Sequence, residues 1–166
     1  MVFKLDHYHI FYNTNNFYNN DTTVRITNSD LSNFKLLGIA DNKSKYTIEP
    51  KDVFVTSAGN EIIASYNLEI QLNIVTEIED IYDTLINSDI SVVLVPRTVT
   101  ISENTQTLAE AGNLNNAEII VFKPARARII EDVKMGVNEV NPKILKFTTS
   151  SGNQKELKKV FVVSLS

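Results

Sequence analysis

Two histidines near the start of the chain are the residues with the clearest potential for chemistry. His7 and His9 are the only two histidines among the 166 residues. In a β-strand their spacing places both imidazoles on one face, where Asp6 or a distant acid could complete a metal site. The same spacing fits a partly exposed strand face that binds nothing, and we favour this second interpretation.

A cluster of acids offers a second possible metal site. Four carboxylates lie in the run EIED, residues 77–80, and at Asp83. Such a cluster could attract a divalent cation. It also fits the start of a helix, where the helix dipole favours negative charge, and we prefer that interpretation. We therefore predict no metal site in this chain.

Other patterns that would indicate catalysis are missing from the sequence. The chain has no cysteine, which excludes disulfides, thiolate zinc sites and cysteine nucleophiles. Its five glycines are dispersed, so none forms the clustered loop that phosphate binding needs. A Gly-x-Ser-x-Gly elbow is also lacking. We therefore predict no catalytic residue and no cofactor, and we expect that the protein is not an enzyme.

The charge of the chain argues against tight binding of nucleic acid. The net charge is −4, with −6 in residues 1–83 and +2 in residues 84–166. Lys155, Lys158 and Lys159 form a small basic cluster, but acids are interleaved with the basic residues of this half, whereas phosphate binding needs a concentrated basic stripe. The uneven distribution fits head-to-tail association of identical subunits, and it also fits chance scatter over a solvated surface.

The hydrophobic pattern predicts a mainly β protein. In EIIASYNLEIQLNIVTE, residues 61–77, apolar and polar residues alternate as in a long strand with one buried face. Extended runs are also predicted in ISVVLVP (90–96), which we expect to be fully buried, and in RTVTI (97–101). Further strands are predicted before residue 61 in VFKLDHYHIFY, TTVRIT, FKLLGIA and DVFVTS, and after it in AEIIVFKP, ARARIIEDVKMGV and KILKFTTSSGNQKELKKVFVVSL.

One amphipathic helix is predicted at about residues 77–87. Its apolar residues recur at helical spacing, and Thr76 with Glu79 forms a capping box. Many strands and one helix indicate a single β-rich domain over residues 1–166, an antiparallel β-sandwich or barrel with one short flanking α-helix. No apolar run approaches the roughly 18 residues that a spanning helix needs, so we predict no membrane span.

The stretch HIFYNTNNFYNNDTT, residues 9–23, contains the triplet Phe-Tyr-Asn twice and only one charged residue, Asp21. Aromatic side chains among uncharged polar neighbours are typical of interface cores. We therefore predict an interface loop or arm within residues 9–23, in which the subunit contacts are made by Phe11, Tyr12, Phe17 and Tyr18. The alternative is a surface loop that folds its aromatic side chains onto its own sandwich.

The order of elements over roughly residues 53–166 resembles the tail-tube proteins of tailed bacteriophages. The resemblance begins in VTSAGNEIIASYNLEIQLNIVTEIEDIYDTLIN, a long alternating strand followed by a short acidic and aliphatic helix. It continues in AEIIVFKPARARIIEDVKMGVNEVNPKILKFTTS, which has a hydrophobic strand, a proline, an extended run and another strand. KKVFVVSL is similar to the terminal strand of that family.

The resemblance implies a fold and a function. Tail-tube proteins are β-sandwiches or barrels with one flanking helix, and their hexameric rings stack into a tube. The chain would then be a virion structural protein, made in the host bacterial cytoplasm, that forms homo-oligomers and contacts other virion proteins. DNA would pass through its channel without specific binding. The alternatives are a head decoration protein, a head–tail connector or terminator, and a carbohydrate- or receptor-binding β-sandwich module.

Overall fold

The computed structural model describes residues 2–164 except 7, 15, 39, 41–42, 75–83 and 133–142, and it describes only the backbone of 74, 129–132 and 143. Ten strands are found in these residues. Their bounds are β1 Val2–Lys4, β2 Tyr8–Asn13, β3 Phe34–Gly38, β4 Lys45–Val55, β5 Glu61–Ile74, β6 Ser91–Pro96, β7 Glu118–Phe122, β8 Ala127–Asp132, β9 Lys143–Ser151 and β10 Lys158–Val162.

The strands form two antiparallel sheets of five strands each. The first sheet has the order β1-β4-β5-β9-β8, and the second has the order β10-β7-β6-β2-β3. Each sheet keeps two end strands, so the pair is a sandwich and not a closed barrel. The predicted antiparallel β-sandwich is confirmed, and the barrel alternative is corrected.

The first hydrophobic core lies between the two sheets. Because successive side chains of a strand point to opposite faces, a strand that borders this core contributes every second residue to it. In β5 these residues are Leu68, Ile70 and Leu72, which confirms the alternation predicted for this segment. The neighbouring strand β9 adds Leu145 and Phe147, and the facing sheet contributes Ile10, Tyr12, Val92, Leu94 and Phe122.

A second core covers the opposite face of the second sheet. The strand residues that point to this side are Phe11, Val93, Val95, Ile119, Val121 and Phe161. The segments 17–34 and 99–117 pack over them with Phe17, Tyr18, Ile26, Leu31, Val99, Leu108 and Leu114. Because both faces of β6 are covered, residues 91–95 are buried throughout. The prediction of a fully buried strand in 90–96 is therefore confirmed.

The helical content differs from the prediction. A four-residue helix, α1 (Asn28–Leu31), begins at a capping box in which Asp30 N donates to Thr27 Oγ1 at 3.4 Å and Thr27 N donates to Asp30 Oδ2 at 2.9 Å. The hydrophobic pattern does not predict this helix. Of the predicted helix at 77–87, residues 84–87 are helical. The remaining residues, with the proposed capping box at Thr76 and Glu79, lie outside the described residues.

Neither of two extended runs predicted from the sequence, residues 97–101 and 22–27, is a strand in the structure. Residues 97–101 leave β6 through a turn in which Val99 N donates to Pro96 O at 3.1 Å. Residues 22–27 are not a strand either, because Val24 N donates to Asp21 O at 3.0 Å and the Asp21 carboxylate accepts from Thr23 N at 3.0 Å. Local hydrogen bonds of this kind compete with strand pairing.

Replacing Phe17 by alanine is expected to lower the free energy of unfolding by about 3–5 kcal/mol. Phe17 is buried, with its ring centroid 4.9 Å from those of Phe34 and Phe161. The matched control is Phe54→Ala, since Phe54 is 61% exposed. In dilute protein this variant is expected to lower the free energy of unfolding by no more than about 0.5 kcal/mol. Urea denaturation measures both values. Equal, small losses would contradict a core position for Phe17.

Candidate functional site: a projecting hairpin and a cleft at its base

The structure places the four predicted contact residues inside the protein. Phe11 is fully buried, and Tyr12, Phe17 and Tyr18 are 5–6% exposed. Residues 8–13 form β2, which pairs with β3 on one side and β6 on the other, so residues 9–13 lie in an inner strand. The predicted interface arm is therefore corrected: Tyr12 lies in the core between the sheets, and Phe11, Phe17 and Tyr18 lie in the core on the outer face of the second sheet.

The asparagines of this stretch have local structural roles. The buried side chain of Asn13 donates to Asn33 O and accepts from Phe17 N, each at 3.3 Å. Asn16 has φ 58, in the left-handed region that asparagine tolerates better than most residues. These contacts turn the chain back from β2, so that Phe17 and Tyr18 reach the second core.

A different segment projects from the sandwich. β5 pairs with β4 from Glu61 to Gln71, but with β9 only from Tyr66 to Ile74. Residues 51–65, called the arm below, therefore extend past the end of β9 as a two-stranded hairpin. Its turn is closed by Thr56 N donating to Asn60 O at 2.8 Å, and Gly59 adopts φ +84 there.

The arm exposes apolar side chains on both of its faces. Their exposed fractions are Val53 44%, Phe54 61%, Val55 68%, Ile62 53% and Ile63 39%. Phe54 is paired with Ile62 on one face, and Val53 is paired with Ile63 on the other. An isolated two-stranded hairpin is at best marginally stable in water, and a contiguous apolar patch usually marks a contact surface. The arm is thus the candidate interaction site of this chain.

The sequence contains a signal for this site that periodicity alone does not reveal. VFV at 53–55 and II at 62–63 are consecutive apolar residues on either side of a turn sequence. In a half-buried strand apolar and polar residues alternate, whereas a consecutive run indicates that both faces are covered. In this chain the two runs lie beyond the end of the sandwich. The described part of the chain therefore does not cover both faces of the arm.

A cleft of about 450 Å³, called the base cleft below, opens where the arm leaves the sandwich. It is lined by Phe3, Ile48, Gln154, Lys155 and Lys158. The Phe3 ring stacks on Tyr46 with centroids 4.7 Å apart, and Lys158 Nζ lies 5.5 Å from both centroids. The base cleft therefore combines an apolar, aromatic floor with two cationic side chains.

Two of the three lysines in the basic cluster make contacts within the fold. Lys158 Nζ donates to Tyr46 Oη at 3.3 Å. Lys159 Nζ donates to Tyr18 O at 2.9 Å and lies 4.5 Å from the Tyr18 ring centroid. Burial, with a smaller contribution from Glu156, raises the pKa of Tyr18 to about 12, so this phenol stays neutral. Lys155 is exposed at the rim of the base cleft.

A second depression, of about 670 Å³, contains the described member of the histidine pair. It is lined by Asp6, His9, Arg97, Val99, Thr100 and Ile101. His9 Nε2 is 3.1 Å from Val99 O, and Arg97 donates to Asp6 O at 2.7 Å. His7 lies outside the described residues. Within the described ranges, no group of three histidine, cysteine or acidic residues is arranged to hold a metal ion.

The surroundings of His9 favour its neutral form. Its pKa lies below the ordinary value of 6.5, chiefly because burial disfavours the imidazolium and also because Arg97 repels it. The hydrogen bond to Val99 O acts in the opposite direction and only partly offsets these effects. Neutral His9 can donate from Nε2 to Val99 O, which ties β2 to the turn after β6.

No family model and no curated protein matches this chain. In the described part of the chain, the helices are too short or too polar to cross a bilayer.

Acidification from about pH 7.5 to 5.5 is expected to destabilise the protein through His9. The unfolded chain, with the higher histidine pKa, binds a proton first as the pH falls below about 6.5, so the stability due to neutral His9 is lost in this window. His9→Gln keeps a donor without titrating and should show a smaller fall in melting temperature. His7→Gln is the control. A pH dependence unchanged by His9→Gln would contradict this assignment.

Proposed function

We propose that the protein is a structural subunit of a tailed-bacteriophage virion, similar to tail-tube proteins, and that it acts by assembling with copies of itself. The observation that carries self-assembly is the arm, whose five apolar side chains are 39–68% exposed. The link to the phage proteins comes from the order of elements in the sequence, and the antiparallel sandwich is compatible with it.

The energetics of the arm favour a closed or repeating assembly over an isolated pair. Covering five half-exposed apolar side chains contributes on the order of 1 kcal/mol each, or roughly 5 kcal/mol per arm. Association costs about 4–15 kcal/mol in lost freedom of motion. One arm therefore offsets this cost only in part. In a ring, every copy places its arm on one neighbour and receives the arm of the other neighbour. Each copy therefore takes part in two arm contacts, whereas a copy in an isolated pair takes part in one.

The ends of the sheets offer further contact surface. β10 is an end strand of the second sheet, and its Val160 and Val162 are 43% and 47% exposed. End strands can extend a neighbour's sheet by backbone hydrogen bonds. In the proposed assembly such contacts supplement the arm.

The charge of the subunit suits a channel that lets DNA pass. The chain carries a net charge of −4, and part of its basic cluster is bound within the fold through Lys158 and Lys159. Repeated along a tube, a concentrated basic groove would hold DNA through many phosphate contacts. An acidic subunit without such a stripe allows DNA to move through without specific binding.

The purified protein is expected to form rings or tubes, which native mass spectrometry and negative-stain imaging would detect. The double variant Phe54→Ser/Ile62→Ser should stay monomeric, with unchanged far-ultraviolet circular dichroism, because it removes one apolar face of the arm. Val24→Ser is the control, since Val24 is 41% exposed but lies outside the arm.

The outcomes separate the candidate functions. A wild-type protein that is monomeric at high concentration would contradict the tail-tube proposal. If that monomer bound another virion protein in a pull-down from infected cells, a head decoration or connector role would replace it. Rings that form equally well in Phe54→Ser/Ile62→Ser would retain self-assembly but overturn the role of the arm.

A further inference from the structure

The base cleft and the arm have complementary chemistry. The cleft has an exposed aromatic ring, Phe3, beside Ile48, and its rim carries Lys155 and Lys158. Its volume of about 450 Å³ falls within the roughly 300–1,000 Å³ that is typical of binding clefts. A ligand suited to it is apolar or aromatic at its centre and negatively charged at its edge.

One face of the arm has this composition. Asp52 and Phe54 are two residues apart on β4 and therefore point to the same face, since the register shift between Asp52 and Val53 places its extra residue on β5. Ile62 is the cross-strand partner of Phe54, and Ser65 Oγ donates to Asp52 Oδ2 at 2.7 Å, which holds the carboxylate on that face. This face thus presents an exposed aromatic ring, an aliphatic side chain and an acid.

The arm cannot reach the base cleft of its own chain. Ile48, in the cleft wall, and Phe54, near the tip of the arm, lie on the same strand, β4. Six residues of extended chain separate them by about 20 Å. Pairing with β5 continues along this part of β4 through two register shifts between Pro50 and Val53, so the strand does not fold back on itself. Contact between Phe54 and such a cleft therefore requires a second copy.

We propose that the base cleft of one copy receives the arm of the next, with Phe54 against Phe3 and Asp52 beside Lys155. The proposal rests on the self-assembly proposed above and names its contact. Aromatic packing supplies the apolar part of the contact, and the charge pair sets its orientation. The tip of one arm meets the base of another, so the contact is heterologous. Contacts of this type produce rings when the rotation closes and filaments when it does not.

Charge reversal tests the contact directly. Asp52→Lys and Lys155→Glu each place like charges together, and each is expected to raise the apparent dissociation constant of assembly about tenfold. An equimolar mixture of the two variants should assemble like wild type, because each arm then meets a cleft of opposite charge. The double variant Asp52→Lys/Lys155→Glu should also assemble alone. Sedimentation velocity measures all four samples.

Two further variants act as controls. Glu103→Lys makes the same change of charge at an exposed residue outside the arm and the cleft lining, and it should assemble like wild type. Phe54→Ser should fail to assemble, and mixing it with Lys155→Glu should not restore wild-type assembly, because one arm still lacks its aromatic ring.

The results distinguish this contact from self-assembly in general. If wild type assembles through the arm but Lys155→Glu assembles equally well, and mixing or combining the reversals restores nothing, the base cleft is not the receiving surface and the proposed function stands. If wild type does not assemble at all, both proposals are contradicted. Restoration in the mixture and in the double variant supports the tip-to-base contact.

Discussion

Strand β5 is paired on both sides along Tyr66–Ile74, but within the described residues its first five residues are paired only with β4. This unequal pairing divides one continuous hairpin into two parts with different environments. In the inner part, Leu68, Ile70 and Leu72 face the second sheet and are buried. In the outer part, Ile62 and Ile63 have no sheet behind them and remain exposed. The sandwich anchors the arm, and the arm carries apolar surface away from the sandwich.

An apolar sheet face must be covered, and this requirement explains the aromatic stretch at residues 9–23. The second sheet has apolar residues on both faces, so the first sheet covers only one of them. The segment after β2 covers part of the other face with Phe17 and Tyr18. The aromatic residues of this stretch therefore cover the chain's own core and do not make the predicted subunit contact. The asparagines form the turn between them, through the side chain of Asn13 and the left-handed backbone of Asn16.

Much of the fold could be predicted because strand periodicity is a local property. The alternation in 61–77 and the apolar run at 90–96 predicted β5 and β6, and the later runs predicted β7 to β10. Periodicity does not indicate which element lies against a face, so the burial of Phe11 and Tyr18 by the chain itself could not be read from their types. Helix α1 was missed because four residues give too little hydrophobic pattern, although Thr27 and Asp30 form its capping box.

The candidate site was harder to predict than the fold. Val53, Phe54 and Val55 appear in the sequence as an ordinary apolar strand, and such residues are usually assigned to a core. Their exposure depends on where β9 ends, a long-range property fixed by the pairing of Tyr66 with Ser151. The base cleft likewise combines β1, β4 and the turn before β10, which are distant in sequence.

Hydrogen exchange of the arm amides as a function of protein concentration tests the central claim most directly. A two-stranded hairpin opens readily when it is uncovered, so amides in residues 51–65 should exchange quickly in dilute protein. At high concentration a second copy should cover the arm and slow this exchange, while amides of β5 between β4 and β9 should be unaffected. Exchange of the arm that is the same at every concentration would contradict an arm built for contact between copies.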